Sequence, residues 1–496
     1  MADPTLIGKE FQAISDNVTP KVSIKNSGNK LEASVGPYKG RNVFFVNGKP
    51  KAPMMYSSTE QGRKTWADPT KKSIEEFTAQ GYDIIQTDMW FKYSLNPDGS
   101  FDIDGIRKQL AGILNINPDA KLVVRINVSA PQWWLSQNQS EVCKVTNDSI
   151  SKMKIQMNLG INGYGWSPND KSKNIFGGNT AESLASEKYK EFANKYLKLF
   201  LQEVEKTPEG DRIIGFHIGG GVYGEWHYYG IYDEPDASEP MRQKFIAFAR
   251  KKYQSIDRVN ATWKTGFQTI ENITVPSYDR RYVVTDGDYR DPLSEKYVID
   301  YYECQQYMVG ELVNGLAKLT KETWTRPVIT GVFYGYFYGG WTVGSQSSQA
   351  DIQTIFKSPY LDYFAGPYAS RSMYGSGIFR SLAASVSLNG KIWLTEHDGG
   401  TYLGSSGSGG GKFPDIPLDE PQSIARMRRN FMYSITDNGG QWWYDFGPHS
   451  QGGGWWSTPG MLRETKNLLT LSKRFMEQQY EKKSDVLVIY DMNSFN

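Results

Sequence analysis

The chain has 496 residues, and 56 basic against 54 acidic side chains leave a formal charge of +2. That balance argues against a nucleic acid or an anionic membrane as the main partner, and no run approaches the ~18 apolar residues of a membrane span. Cys143 and Cys304 are the only cysteines and neither sits in a CxxC or Cys/His cluster, so no disulfide framework and no structural zinc are expected. Both read as buried thiols.

Met1-Ala2-Asp3-Pro4 lacks the basic and apolar regions of a signal peptide, which fits a cytoplasmic protein or the mature form of a secreted one. Residues 1–50 read as a β-rich extension. Lys21 to Ile24 and Asn42 to Val46 are short β-type runs, and Asn47-Gly48 is a tight-turn signal. From there the chain alternates strand and helix. Strands are expected at 52–56, 82–87, 121–128, 213–218, 327–333, 361–365, 392–395 and 440–446. Helices are expected at 69–80, 106–114, 183–206, 239–252 and 293–321. Eight strands alternating with helices predict an α/β fold, a closed (β/α)8 TIM barrel over residues 51–480. Residues 403–412 are Gly/Ser-rich and predict a loop beside the barrel mouth. Ser484 to Asp491 reads as a buried strand. A lone strand cannot fold by itself, so residues 481–496 are expected to open a further α/β domain of which the rest is missing.

On a barrel of this kind the carboxyl ends of the strands carry the active site. Glu225 follows the fourth strand and Glu396 ends the seventh, 171 positions later. Glycosidic bond cleavage requires such a pair: one carboxyl protonates the leaving oxygen, and the other attacks the anomeric carbon or activates a water. Tyr223, Trp226 and Tyr228 around Glu225 suit a partly desolvated acid. Asp398 competes with Glu396, but Asp398-Gly399-Gly400 has turn chemistry.

Aromatic residues make up 14% of the chain, including 14 Trp and 31 Tyr, and part of this excess suits stacking against sugar rings. Trp133, Trp134, Trp341, Trp442, Trp443, Trp455 and Trp456 lie near predicted strand ends, and Trp133 and Trp443 are chosen as the platform. Arg125, Tyr223, Tyr368 and His397 complete the expected substrate-binding set. His217, His227, His397 and His449 also lie in strand-end segments, but without HExxH spacing. Hydrogen bonding to sugar hydroxyls or to the carboxylates is expected of them. No metal and no cofactor are expected.

Several segments resemble glycoside hydrolase family 42 β-galactosidases. Ser255 to Phe267, followed by Ile273-Thr274-Val275-Pro276, is similar to the stretch after that family's acid/base strand. Ala130-Pro131-Gln132-Trp133 is similar to its segment after the third strand. Ile392 to Glu396 resembles its nucleophile strand, and Ser484 to Asp491 resembles the start of its trimerisation domain. The resemblance implies a retaining exo-β-glycosidase acting on β-galactosides or related β-glycosides by double displacement. Glu225 would be the acid/base and Glu396 the nucleophile. It also implies a homotrimer where the downstream domain is present. One departure stands out: the family places Asn-Glu directly at the end of the fourth strand, whereas here Gly219-Gly220-Gly221-Val222 intervenes and Gly224 precedes Glu225. An inverting glucan hydrolase and a catalytically silent carbohydrate-binding barrel remain alternatives.

Overall fold

The computed structural model describes residues 30–58, 64–144, 181–228, 235–282, 290–337, 349–368, 379–404, 417–445 and 453–490. The predicted run Lys21 to Ile24, Trp341, His449 and most of the Gly/Ser-rich segment lie outside these residues.

The described chain opens with an antiparallel sheet, β1 (Ala33–Tyr38), β2 (Arg41–Val46) and β3 (Lys49–Lys51). Asn47 and Gly48 both have positive φ, 47° and 74°. This is the left-handed two-residue turn that matches strand twist in a hairpin, and the Asn-Gly pair supplies it with little strain. Asn42 secures this sheet to the barrel, donating from its side-chain amide to the carbonyls of Ser387 (2.9 Å) and Lys391 (3.0 Å).

Eight parallel strands then close a barrel: β4 (Met54–Ser58), β5 (Ile84–Trp90), β6 (Lys121–Asn127), β7 (Ile213–Gly219), β8 (Ile329–Phe333), β9 (Tyr363–Pro367), β10 (Ile392–His397) and β11 (Gly440–Asp445), with β11 hydrogen-bonded back to β4. Each matches its sequence-predicted run to within a few residues. The strands are buried on both faces, one against the barrel axis and one against helices, so they read as near-continuous apolar runs. The helix Glu187–Glu205 shows how the outer layer is specified. Ser186 caps it by accepting from the Tyr189 amide, and Tyr189, Phe192, Ala193, Tyr196, Leu197, Phe200, Leu201 and Val204 bury one stripe at helical spacing.

Ser484 to Asp491 departs from expectation. Residues 484–490 form no strand, and Val486, Leu487, Val488 and Ile489 are 76–83% exposed. Strand formation needs a neighbouring edge to satisfy its backbone groups, and no described element offers one. No helix among the described residues is long and apolar enough to cross a membrane.

Candidate active site

The first carboxylate is carried by a loop folded back on itself. After β7 the chain turns so that Val222 and His227 pair in an antiparallel bridge, with the Val222 amide donating to the His227 carbonyl at 3.0 Å. The Glu225 amide donates to the Val222 carbonyl at 2.9 Å, and the Trp226 indole donates to the Ile218 carbonyl at 3.0 Å. Glycine is needed here. Gly221 has φ +68° and a Cβ on it would lie 2.3 Å from the His227 carbonyl oxygen; Gly224 has φ +78° and a Cβ on it would lie 2.9 Å from Arg125 Nη2. Tyr223 and Trp226, on either side of Glu225, also hold positive φ, 57° and 60°. Left-handed backbone at two bulky residues is costly and is held only where surrounding contacts over-determine it.

The second carboxylate, Glu396, ends β10 and is 3% exposed. Residues alternate sides along a strand, and this alternation decides what each side chain meets. Arg125 on β6 links the two carboxylates electrostatically: its guanidinium is buried, and Asp88, Glu396 and Glu225 together with the Tyr444 phenol hold its charge on against the burial. It donates to the Tyr444 hydroxyl and to the Tyr223 carbonyl, and lies 3.4 Å from Asp88 Oδ2. The Tyr336 and Tyr444 phenols are pushed well up, first by burial, and both carboxylates add to the shift in each. The acids at 225 and 396 therefore act on the same three buried groups.

Glu225 is also supported from behind. His227 Nε2 lies 3.8 Å from its Oε2. The Gln349 side-chain amide donates to the Glu225 carbonyl, and its nitrogen lies 3.3 and 3.4 Å from the two His227 ring nitrogens. The Gln349 oxygen accepts from the Tyr336 amide at 3.0 Å.

Four of the predicted substrate-binding residues pack against other elements. Trp443 lies on the helix side of the barrel, donating to the Tyr82 hydroxyl at 2.7 Å and packing against Phe77 and Trp456. His397 shares that layer, its ring 5.0 Å from Trp443 and 5.8 Å from Trp456, and burial drives its pKa well down, so it stays neutral. Tyr368 donates to the Asn430 carbonyl at 2.6 Å, on the outer helix Glu420–Thr436. Trp133 is partly buried against Phe192, with its indole 3.4 Å from the Leu95 carbonyl. Asp398 acts on Tyr368. Arg125 does act on both carboxylates through its charge, and the Tyr223 carbonyl accepts a hydrogen bond from Arg125.

Comparison with known proteins follows the same lines. The model of glycoside hydrolase family 42, described as beta-galactosidase, matches residues 167–398, a span that includes both Glu225 and Glu396. Over that span the chain is similar to family 42. Solved structures share the fold at low identity. The β-galactosidase of the psychrophilic Marinomonas ef1 superposes with TM-score 0.54 and 12% identity, covering 86% of this chain and 62% of that one. The enzyme of Bacillus circulans sp. alkalophilus gives 0.55 and 13%, covering 86% and 56%. The β-amylase catalytic domain of Paenibacillus polymyxa gives 0.51 and 14%, covering 79% and 92%. The chain thus spans less than two thirds of the length of the β-galactosidases it matches. No curated protein sequence matches it.

Within this family-42-like barrel, sequence reasoning passed over Asp88, Tyr336, Gln349 and Tyr444. Tyr444 follows Trp443, already a candidate, on the eighth strand; Asp88 lies on the second strand, where no candidate was named, but pairs in register with Arg125. Tyr336 and Gln349 lie in loops without a distinguishing pattern.

Proposed function

We propose that the chain is a retaining β-glycosidase that removes a terminal sugar by double displacement, with β-galactosides or related β-glycosides as substrates. The observation that carries this reading is the shared electrostatic environment of Glu225 and Glu396, each of which acts on Arg125, Tyr336 and Tyr444.

The roles follow from position. Glu396 is deeply buried at a strand end beside a fixed cation, which suits an ionised nucleophile that attacks the anomeric carbon. Glu225 sits on a loop with its side chain 17% exposed, the more open of the two, which suits proton delivery to the departing oxygen and later deprotonation of an incoming water. Arg125 and the neutral phenols of Tyr336 and Tyr444 are positioned donors around the charge that shifts between the sugar and Glu396.

The test is a screen of aryl β-glycosides with the first-formed product followed by proton NMR. A β-anomer released first supports double displacement. An α-anomer released first assigns the chain to an inverting mechanism, and sugar binding without hydrolysis across the panel assigns it a binding role.

A further inference from the structure

Arg125 and Arg380 are both 4% exposed, yet they differ in one respect. The Arg125 fork is committed to Asp88, Tyr444 and the Tyr223 carbonyl. The Arg380 guanidinium has no hydrogen bond or ion pair among the described residues; its Nε, like that of Arg125, is buried without an acceptor. Arg380 is held in place by its backbone, whose carbonyl accepts from the Phe337 amide at 2.7 Å. Its guanidinium lies 5.3 Å from the centre of the Tyr336 ring. The Tyr336 hydroxyl is likewise buried with no partner, and this phenol feels Glu225, Glu396 and Arg380 together. The loops after β8 and β9 thus each bring one buried donor group without a partner among the described residues, and the two lie side by side.

A buried charged group without a partner is strongly unfavourable and is seldom retained for stability. The cation–π contact with Tyr336 recovers only part of that cost. A guanidinium presents planar, paired N–H groups that match a carboxylate or a sulfate, whereas a neutral hydroxyl satisfies one donor through a weaker bond.

We propose that the sugar held between Glu225 and Glu396 carries an oxyanion, a uronate carboxylate or a sulfate ester, received by the Arg380 fork with the Tyr336 hydroxyl as a second donor. This assignment rests on the glycosidase reading above and specifies its substrate class.

The experiment uses the full chain with Glu396→Gln to prevent turnover. Isothermal titration at constant ionic strength compares D-galacturonate, D-glucuronate and galactose 6-sulfate with D-galactose. At least one acidic sugar is expected to bind about tenfold more tightly than galactose, with the margin shrinking as salt rises. The tighter of the uronate and sulfate arms identifies the oxyanion. Arg380→Met is expected to remove the margin while leaving galactose affinity within about twofold, and Arg380→Lys to keep part of it. The salt series on the parent protein gives a readout that does not depend on Arg380→Met folding. Equal affinity for galactose and every acid, or a margin that survives Arg380→Met, overturns the proposal. Hydrolysis of neutral aryl glycosides without any preference for acids removes this inference and leaves the glycosidase reading standing. Absence of both sugar binding and hydrolysis removes both.

Discussion

Arg125, on the third barrel strand, donates a hydrogen bond to the carbonyl of Tyr223, two residues before Glu225. The same guanidinium faces Glu396 from across the barrel. One buried cation therefore couples the loop that carries one carboxylate to the strand end that carries the other.

Replacing either carboxylate tests the assigned roles. Glu225→Gln and Glu396→Gln are each expected to lower turnover by about 10³-fold or more, with unchanged circular dichroism. Azide should distinguish the two positions. With Glu396→Gly it should restore cleavage and yield a glycosyl azide of inverted configuration; with Glu225→Gly the azide product should retain configuration. Retained product from Glu396→Gly would exclude it as the nucleophile.

Arg125→Met should destabilise the fold as well as abolish activity. It leaves Asp88 buried opposite no cation, a loss of about 3–5 kcal/mol for a broken buried pair. Adding Asp88→Asn removes the stranded charge, so the double variant should regain much of the stability while staying inactive. Urea unfolding of the four proteins measures this directly, and equal stability of single and double variants would contradict the coupling.

Gln349 contacts the Glu225 backbone, His227 and the Tyr336 amide. It acts as a positioning residue. Gln349→Ala should reduce kcat about 10- to 100-fold by letting the acid loop drift, with KM within about threefold. A change confined to KM would place Gln349 against the substrate instead.

Lys92 gives a pH prediction. Burial pulls its ammonium down to about 7, only partly countered by Glu182. In the unfolded chain the group titrates near 10.5. Between these two values the unfolded state binds the extra proton, so the Lys92 contribution to stability rises with pH across that window, and the penalty is fully present below about 7. Lys92→Met should therefore raise Tm by a few degrees near pH 6.5, with the gain vanishing toward pH 10.5. A gap between variant and parent that stays constant from pH 6 to 10 would show that Lys92 is not desolvated.

The sequence made the barrel legible because β-branched and aromatic runs recur between helical patterns, and β6, β7 and β10 were read nearly to the residue. Glu225 was legible as an isolated acid among aromatic and glycine residues, and Glu396 as the acid that closes an apolar strand. Facing was not. Trp442, Trp443 and Tyr444 are consecutive and all buried, so no apolar/polar alternation distinguishes the axis from the helix layer. Trp442 stacks on Phe333 inside the barrel while Trp443 packs outside it. The loop residues Tyr336, Gln349 and Arg380 meet only through tertiary folding, and no local pattern announces such a meeting.

The segment from Gly219 to His227 closes on itself through the Val222–His227 bridge and the Trp226 indole. It behaves as a cartridge: its internal shape is set by its own bonds, and its seating on the barrel by Arg125 and Gln349. Insertions or deletions in the neighbouring loops can therefore change the surroundings of Glu225 without moving its carboxylate, which leaves a lineage built on this barrel room to vary the rim while the acid stays in register.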